Sequence, residues 1–251
     1  MIPDHKNFSD MLARWTAERP QDDALIFGGR RLSWAQLAER VHRLAAALRA
    51  EGLQPGDRLA VLDLNHPSCL ELTLACAQVG TANAVVNFRL APPEIVYVIN
   101  DAKARLLFVG PEFAGAVAQL RAQLPTVERV IHVGGPGDEY EGWLSACAPD
   151  ARVHPASRGD SFVQLYTSGT TGFPKGAMLT HGGMLAHARN VAAMQTMDGG
   201  SRVQVAMPLF HVGGTSYALV AWAGGAPIHL MRLPDPAGAL EMLERERITH
   251  T

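Results

Sequence analysis

Several short apolar runs, barely interrupted and separated by stretches with helical periodicity, constrain this chain most. RLAVLDL (58–64), RLLFVG (105–110), ERVIHV (128–133) and SFVQLY (161–166) keep their apolar residues side by side. A strand with one wet face alternates, so these runs read as strands covered on both faces by helices. Ser33 opens a capping box with Gln36, and Leu37, Val41, Leu44, Ala45 and Leu48 follow at helical spacing until Gly52. HPSCLELTLACAQVG (66–80) predicts a second helix, ANAVVN (82–87) a short apolar run, and PPEIVYVINDA (92–102) a helix with proline at its start. Further helices are expected over 112–124 and near 140–147. This order predicts an α/β fold of parallel sheets flanked by helices.

With 251 residues and 47% hydrophobic content, the chain can build a sizeable core. The loop-like stretches 132–142 and 148–160 read as surface excursions, neither long nor polar enough to divide it into independent domains, and no repeat occurs. Lys and Arg number 22 against 24 Asp and Glu, for a formal charge of −2, which gives no global field for nucleic acid. Cys69, Cys76 and Cys147 form no CxxC pair and are odd in number, which argues against a disulfide framework or a zinc knuckle and suggests a reducing cytoplasm. MIPDHKNFSD carries no secretory signal pattern. Residues 203–231 lack any Asp, Glu, Lys or Arg and are long enough to cross a bilayer. Pro208, the pairs Gly213-Gly214 and Gly224-Gly225, Pro227 and two histidines break that span. VQVAM and APIHLM around SYALVAWA therefore read as strand, helix, strand.

After SFVQLY comes the stretch LYTSGTTGFPKG (165–176), at a strand end where parallel α/β sheets hold ligands. Gly169 and Gly172 permit positive φ and close backbone approach, while Thr167, Ser168, Thr170 and Thr171 add hydroxyl donors beside the peptide N–H groups. A polyphosphate needs such a donor array, each bond to a charged oxygen contributing about 1.5–3 kcal/mol. Lys175 adds a point charge worth on the order of 4 kcal/mol at contact distance for an effective dielectric near ~20. The stretch is not a Walker loop, because Pro174 and Gly176 flank the lysine and AMLTH reads as a strand. The bland alternative is a flexible surface turn with a solvated lysine, which would not require Pro174 beside the charge.

YTSGTTGFPKG, extended by AMLTH, resembles the phosphate-loop signature of the AMP-forming acyl-CoA synthetases and their adenylate-forming relatives, which include firefly luciferase and the adenylation domains of peptide synthetases. LSWAQLAERVHRLAAAL, GLQPGDRLAVL, ANAVVNFRLAPPEIVYVINDAKARLL and MPLFHVGG extend the resemblance over essentially the whole chain. It implies attack of a fatty or related carboxylate on the α-phosphate of ATP with Mg2+, giving an acyl-adenylate and pyrophosphate, followed by displacement of AMP by the thiol of coenzyme A. Thr167, Ser168, Gly169, Thr170, Thr171, Gly172, Lys175 and Gly176 would hold the β- and γ-phosphates, and His211 would lie beside the acyl carboxylate. Lys175 and His211 are thus the catalytic candidates. Without the resemblance, His211 reads as a loop or core histidine.

Gly213 and Gly214 are expected to leave space for the acyl tail, with Tyr217, Leu219 and Trp222 either lining a tunnel or simply forming core. His181 reads as structural. Glycine stands at position 183, where the family often has asparagine, and the Tyr-Gly-x-Thr-Glu, Thr-Gly-Asp and C-terminal lysine segments do not occur. The magnesium-binding glutamate belongs to the first of these, so no metal ligand is assigned. The expectation is that residues 1–251 are the N-terminal part of the large AMP-binding domain and have little or no ligase activity alone. Two other readings stay open: adenylation with delivery to a carrier protein, and a noncatalytic nucleotide- or acyl-binding module. Serine-hydrolase chemistry lacks its G-x-S-x-G elbow. Acyl chain length, oligomeric state and peripheral membrane contact are left open.

Overall fold

The computed structural model describes residues 2–167 and 172–251. In chain order, helix α1 (Phe8–Glu18) precedes a hairpin of β1 (Asp23–Phe27) and β2 (Arg30–Ser33), then α2 (Trp34–Ala50), β3 (Arg58–Leu62), α3 (Pro67–Val79) and β4 (Ala82–Val85). Next come α4 (Pro92–Asp101), β5 (Ala104–Val109), α5 (Ala114–Leu120), β6 (Arg129–His132), α6 (Tyr140–Ser145), β7 (Ser161–Thr167) and β8 (Lys175–Thr180). The chain continues through α7 (His181–Gln195), β9 (Val203–Val205), α8 (Val212–Ala223), β10 (Ile228–Leu230) and α9 (Pro236–Arg245).

The strands form a larger sheet in the order β6-β5-β3-β4-β7-β8 and a smaller one in the order β2-β1-β10-β9. Their apolar runs lack alternation because both faces of the larger sheet are covered. Leu59 and Val61 of β3 join one hydrophobic core, whereas Ala60 and Leu62 join another beneath α4 and α5. β5 divides likewise, with Leu106 and Phe108 on one side and Leu107 and Val109 on the other. The first core also takes in α1, α2, α3, α7, α8 and the smaller sheet, so a helical layer lies between the sheets. α3 is buried along Ser68–Val79 with no exposed face, as a helix in that layer must be. Trp222 closes the layer toward the hairpin, its indole N–H donating to the carbonyl of Ala24 at 2.8 Å.

The capping box of α2 is present, with the Gln36 N–H donating to Ser33 Oγ at 3.3 Å and the Ser33 N–H to Gln36 Oε1 at 2.9 Å. Residues 203–231 fold as strand, helix, strand, with β9 and β10 parallel. Among the described residues no helix is long and apolar enough to cross a membrane.

The sheets are mostly parallel, as expected, with two antiparallel pairings at their edges: β2 runs antiparallel to β1, and β8 antiparallel to β7. Each connection is too short for a parallel crossover, which takes a dozen or more residues. The helix expected over 112–124 is also broken, into a 3-10 turn at Pro111–Phe113, α5, and a second turn at Arg121–Gln123. Only Val117 of α5 is buried, so little packing enforces one continuous helix.

Candidate active site

β7 carries Phe162, Val163 and Leu165 into the core and ends at Thr167, which pairs with Lys175 at the start of β8. The hairpin therefore delivers the lysine back to the carboxyl edge of the larger sheet. Ser168, Gly169, Thr170 and Thr171 lie outside the described residues. Gly172 has φ of 114°, a conformation L side chains rarely adopt, so glycine is the residue this turn needs. Pro174 is buried and Lys175 exposed, which gives the charge a fixed base.

Gly176 meets a different demand. A Cβ there would stand well inside contact distance of Gln164 Nε2 and 3.1 Å from Tyr166 Cζ. Those two side chains share one face of β7, where Gln164 Nε2 donates to the Tyr166 hydroxyl at 2.8 Å and that hydroxyl donates to Asp101 of α4 at 2.6 Å. Burial and the Asp101 carboxylate both push the Tyr166 phenol upward, so it stays a donor. α4 also supports the loop's far end, where Tyr97 stacks on Phe173 with centroids 4.8 Å apart. A small cleft of about 100 Å³ remains between Asn87, Glu94, Tyr166, Thr167, Gly172 and Pro174. Glu94 is the carboxylate in that lining, and its Oε2 accepts the Ala91 N–H at 2.9 Å in a helix cap. Among the described residues no group of three His, Cys, Asp or Glu could hold a metal ion.

His211 is the N-cap of α8. Its Nδ1 accepts the Gly213 N–H at 3.0 Å, which leaves the proton of the neutral ring on Nε2. The exposed ring can thus offer an N–H to an acceptor at the carboxyl edge of the smaller sheet. Lys175 and His211 consequently stand at strand ends of two different sheets.

The expectation that Gly213 and Gly214 leave room for an acyl tail is corrected in part. A Cβ on Gly214 would run into the Met207 and Pro208 carbonyls, and one on Gly213 into the Met207 side chain. Their missing side chains are occupied by the chain itself, although both glycines border a cavity of about 300 Å³ with His187, Val191, Met207 and Tyr217. Leu219 and Trp222 are fully buried core, and of the three expected lining residues Tyr217 reaches the cavity.

His181 is structural, as its position implies. It stacks on Phe162 at 4.4 Å and accepts the Phe8 N–H on Nδ1 at 3.4 Å, and burial pulls its pKa down to about 4. Gly183 donates its N–H to the Thr180 hydroxyl at 3.1 Å, so the entry to α7 is capped despite the glycine.

Sequence reasoning passed over a junction where the two sheets meet. Asp63, at the end of β3, accepts from Arg232 at 3.1 Å, and Arg232 also grips Glu112. Burial outweighs that guanidinium, which is shared with Glu112, and raises the Asp63 pKa to about 6. Two residues on, Asn65 is buried and bonds to Met207 and Leu209. The available signal was LDLNHP, polar residues directly following an apolar strand.

A mostly parallel sheet covered on both faces, with the β7–β8 hairpin at its carboxyl edge, places the chain among α/β proteins that bind ligands at that edge. The AMP-binding enzyme family matches residues 12–251, and the chain belongs to that family. A feruloyl-CoA synthase from an Amycolatopsis species is 37% identical over 243 residues, covering 95% of this chain and 47% of that protein. The fatty acid–[acyl-carrier-protein] ligase ScoC of Streptomyces coeruleorubidus is 33% identical over 236 residues, covering 92% of this chain and 44% of its own length. Among solved structures, the anthranilate CoA ligase AuaEII in complex with anthranoyl-AMP superposes with a TM-score of 0.91 at 25% identity, covering 98% of this chain and 49% of that one. The chain spans about half the length of the curated relatives it matches.

Proposed function

We propose that the polypeptide carrying this chain is an AMP-forming acyl-CoA synthetase. A carboxylate oxygen attacks the α-phosphorus of ATP, the bond to the bridging oxygen breaks, and pyrophosphate leaves with that electron pair. The thiol of coenzyme A then attacks the acyl carbonyl and expels AMP. Magnesium would accompany ATP and help neutralise its phosphates, but no ligand for it is assigned to this chain. The observation that carries the reading is the hairpin returning Lys175 to Thr167 at the sheet's carboxyl edge, within a chain of the AMP-binding family.

Charge accumulates on the departing pyrophosphate. The hydroxyls and amides of residues 167–172, with the Lys175 ammonium and the Gly176 amide, would therefore favour the transition state over the ground state. His211 Nε2–H would donate to the acyl carboxylate and hold it against the α-phosphate. In this reading the chain belongs to the larger, amino-terminal domain, a reading supported by the share of the relatives' length that it matches. Residues 1–251 by themselves are expected to form no acyl-AMP. A cytoplasmic setting is supported by the buried free thiols of Cys69 and Cys76, which burial pushes up to about 12. No nucleic-acid partner is proposed, given the near-neutral charge.

The named relatives act on aromatic and fatty acids, so the acid is sought with a panel of both kinds. ATP–pyrophosphate exchange by the full-length protein should depend on one of those acids, and its absence across the panel would sink the reading. The carrier-protein relative gives a second acceptor its place in the same assay. Release of AMP on adding coenzyme A favours the synthetase, and release only on adding a phosphopantetheinylated carrier favours the alternative.

A further inference from the structure

We propose that Asn65 is a positioning residue that holds the His211 segment in register with the nucleotide side of the site; this rests on the synthetase reading above. Asn65 follows β3 of the larger sheet and is 2% exposed. Its Nδ2 donates to the Met207 carbonyl at 3.0 Å, and its Oδ1 accepts the Leu209 N–H at 2.8 Å. A primary amide offers donor and acceptor side by side, as a neighbouring strand would, and so it reads the backbone on both sides of Pro208.

The bonds of residues 207–209 show what Asn65 alone contributes. The Pro208 carbonyl accepts the His211 N–H at 3.0 Å, and the Leu209 carbonyl accepts from the Thr215 hydroxyl. Both partners belong to the same stretch of chain and would move with it. The two bonds to Asn65 come from the other sheet, which also carries β7, β8 and Lys175. The backbone N–H of Asn65 donates to the Arg232 carbonyl at 3.2 Å, and so the residue is itself fixed to the strand end of the smaller sheet. With its amide bonded on both atoms to residues 207 and 209 and only 2% exposed, Asn65 acts on the reaction through the segment that ends in His211.

Releasing the amide should let residues 207–211 shift relative to the phosphate loop, and a shift near 1 Å costs on the order of 100-fold where reacting groups must align. In the full-length protein, Asn65→Ala is expected to lower acid-dependent pyrophosphate exchange by about 10- to 100-fold with the KM for ATP within about twofold. In a His211→Ala background the same substitution should cost less than about twofold more, because its effect is already lost. Hydrogen exchange should accelerate over 206–211 and stay unchanged over the β7–β8 hairpin. Equal losses in both backgrounds, or unchanged exchange over 206–211, would overturn the assignment. If Asn65→Ala fails to fold, Asn65→Gln, which keeps the amide and lengthens its reach, takes its place in the cycle with the same two outcomes. If the unsubstituted protein exchanges no pyrophosphate with any acid, the synthetase reading fails on its own, and hydrogen exchange over 206–211 then decides whether Asn65 anchors the segment.

Discussion

Around Lys175 the chain is an edge hairpin in which Lys175, Gly176, Ala177 and Met178 of β8 are all exposed and Phe173 rests on Tyr97 at the surface. The approach to His211, by contrast, is threaded through buried Asn65, Thr215 and Gly214. The first region supplies charge and donors from a light support; the second supplies direction from a dense one. A charge acts over several ångströms and tolerates a lightly packed surround, whereas a hydrogen bond to a carboxylate loses strength within tenths of an ångström. Substitutions on the two sides should therefore fail differently, the first in rate alone and the second in stability as well as in the placement of His211.

Lys175→Ala offers the sharpest break of this contrast. Loss of a charge worth up to about 4 kcal/mol should lower pyrophosphate exchange by about 100- to 1000-fold. The thermal midpoint of this exposed position should hardly move. A large fall in the midpoint with little change in rate would reverse the roles assigned to the two regions.

Gly214→Ala probes the dense side. Its new Cβ meets the backbone carbonyls of Met207 and Pro208, which cannot rotate away, so the protein should lose about 2–3 kcal/mol in urea unfolding. An unchanged midpoint would mean that the start of α8 yields more easily than its packing suggests.

The smallest effect concerns His181, which joins β8 to the core. Its pKa of about 4 in the folded chain lies below the ordinary 6.5, so the unfolded chain binds the proton more readily. Its contribution is complete above pH 6.5 and is lost as the pH falls from there toward 4, by about 2 kcal/mol at pH 5. His181→Phe keeps an aromatic ring against Phe162 and should remove that part of the difference between urea midpoints at pH 7.5 and pH 5. Asp63 contributes in the opposite sense, because its raised pKa makes the folded chain bind the proton more tightly. Its share is present at low pH and is lost as the pH rises through about 6, so the comparison must be made between variant and parent rather than on the parent alone.

Much of this was legible in the residues. Adjacent apolar positions in RLAVLDL and RLLFVG required sheets covered on both faces, and Ser33 with Gln36 set the start of α2. The spacing of Phe8, Met11, Leu12 and Trp15 is an equally plain helical pattern, the buried face of α1. The hydroxyl-rich stretch with Pro174 and Lys175 pointed to polyphosphate chemistry by composition, since donors and charge are properties of residue types. Local sequence could not tell which glycines face a ligand. Gly213 and Gly214 read as open space, yet tertiary packing fills their sites with Met207 and Pro208.

What the chain determined by itself was therefore local and additive: the strands, most helices, the caps, and the chemistry displayed at each strand end. Only the tertiary structure decided that β3 and the segment before α8, far apart in sequence, meet at Asn65, and that Asp63 shares Arg232 with Glu112. Those contacts depend on how two sheets settle against one helical layer, a packing outcome that no short window of sequence encodes.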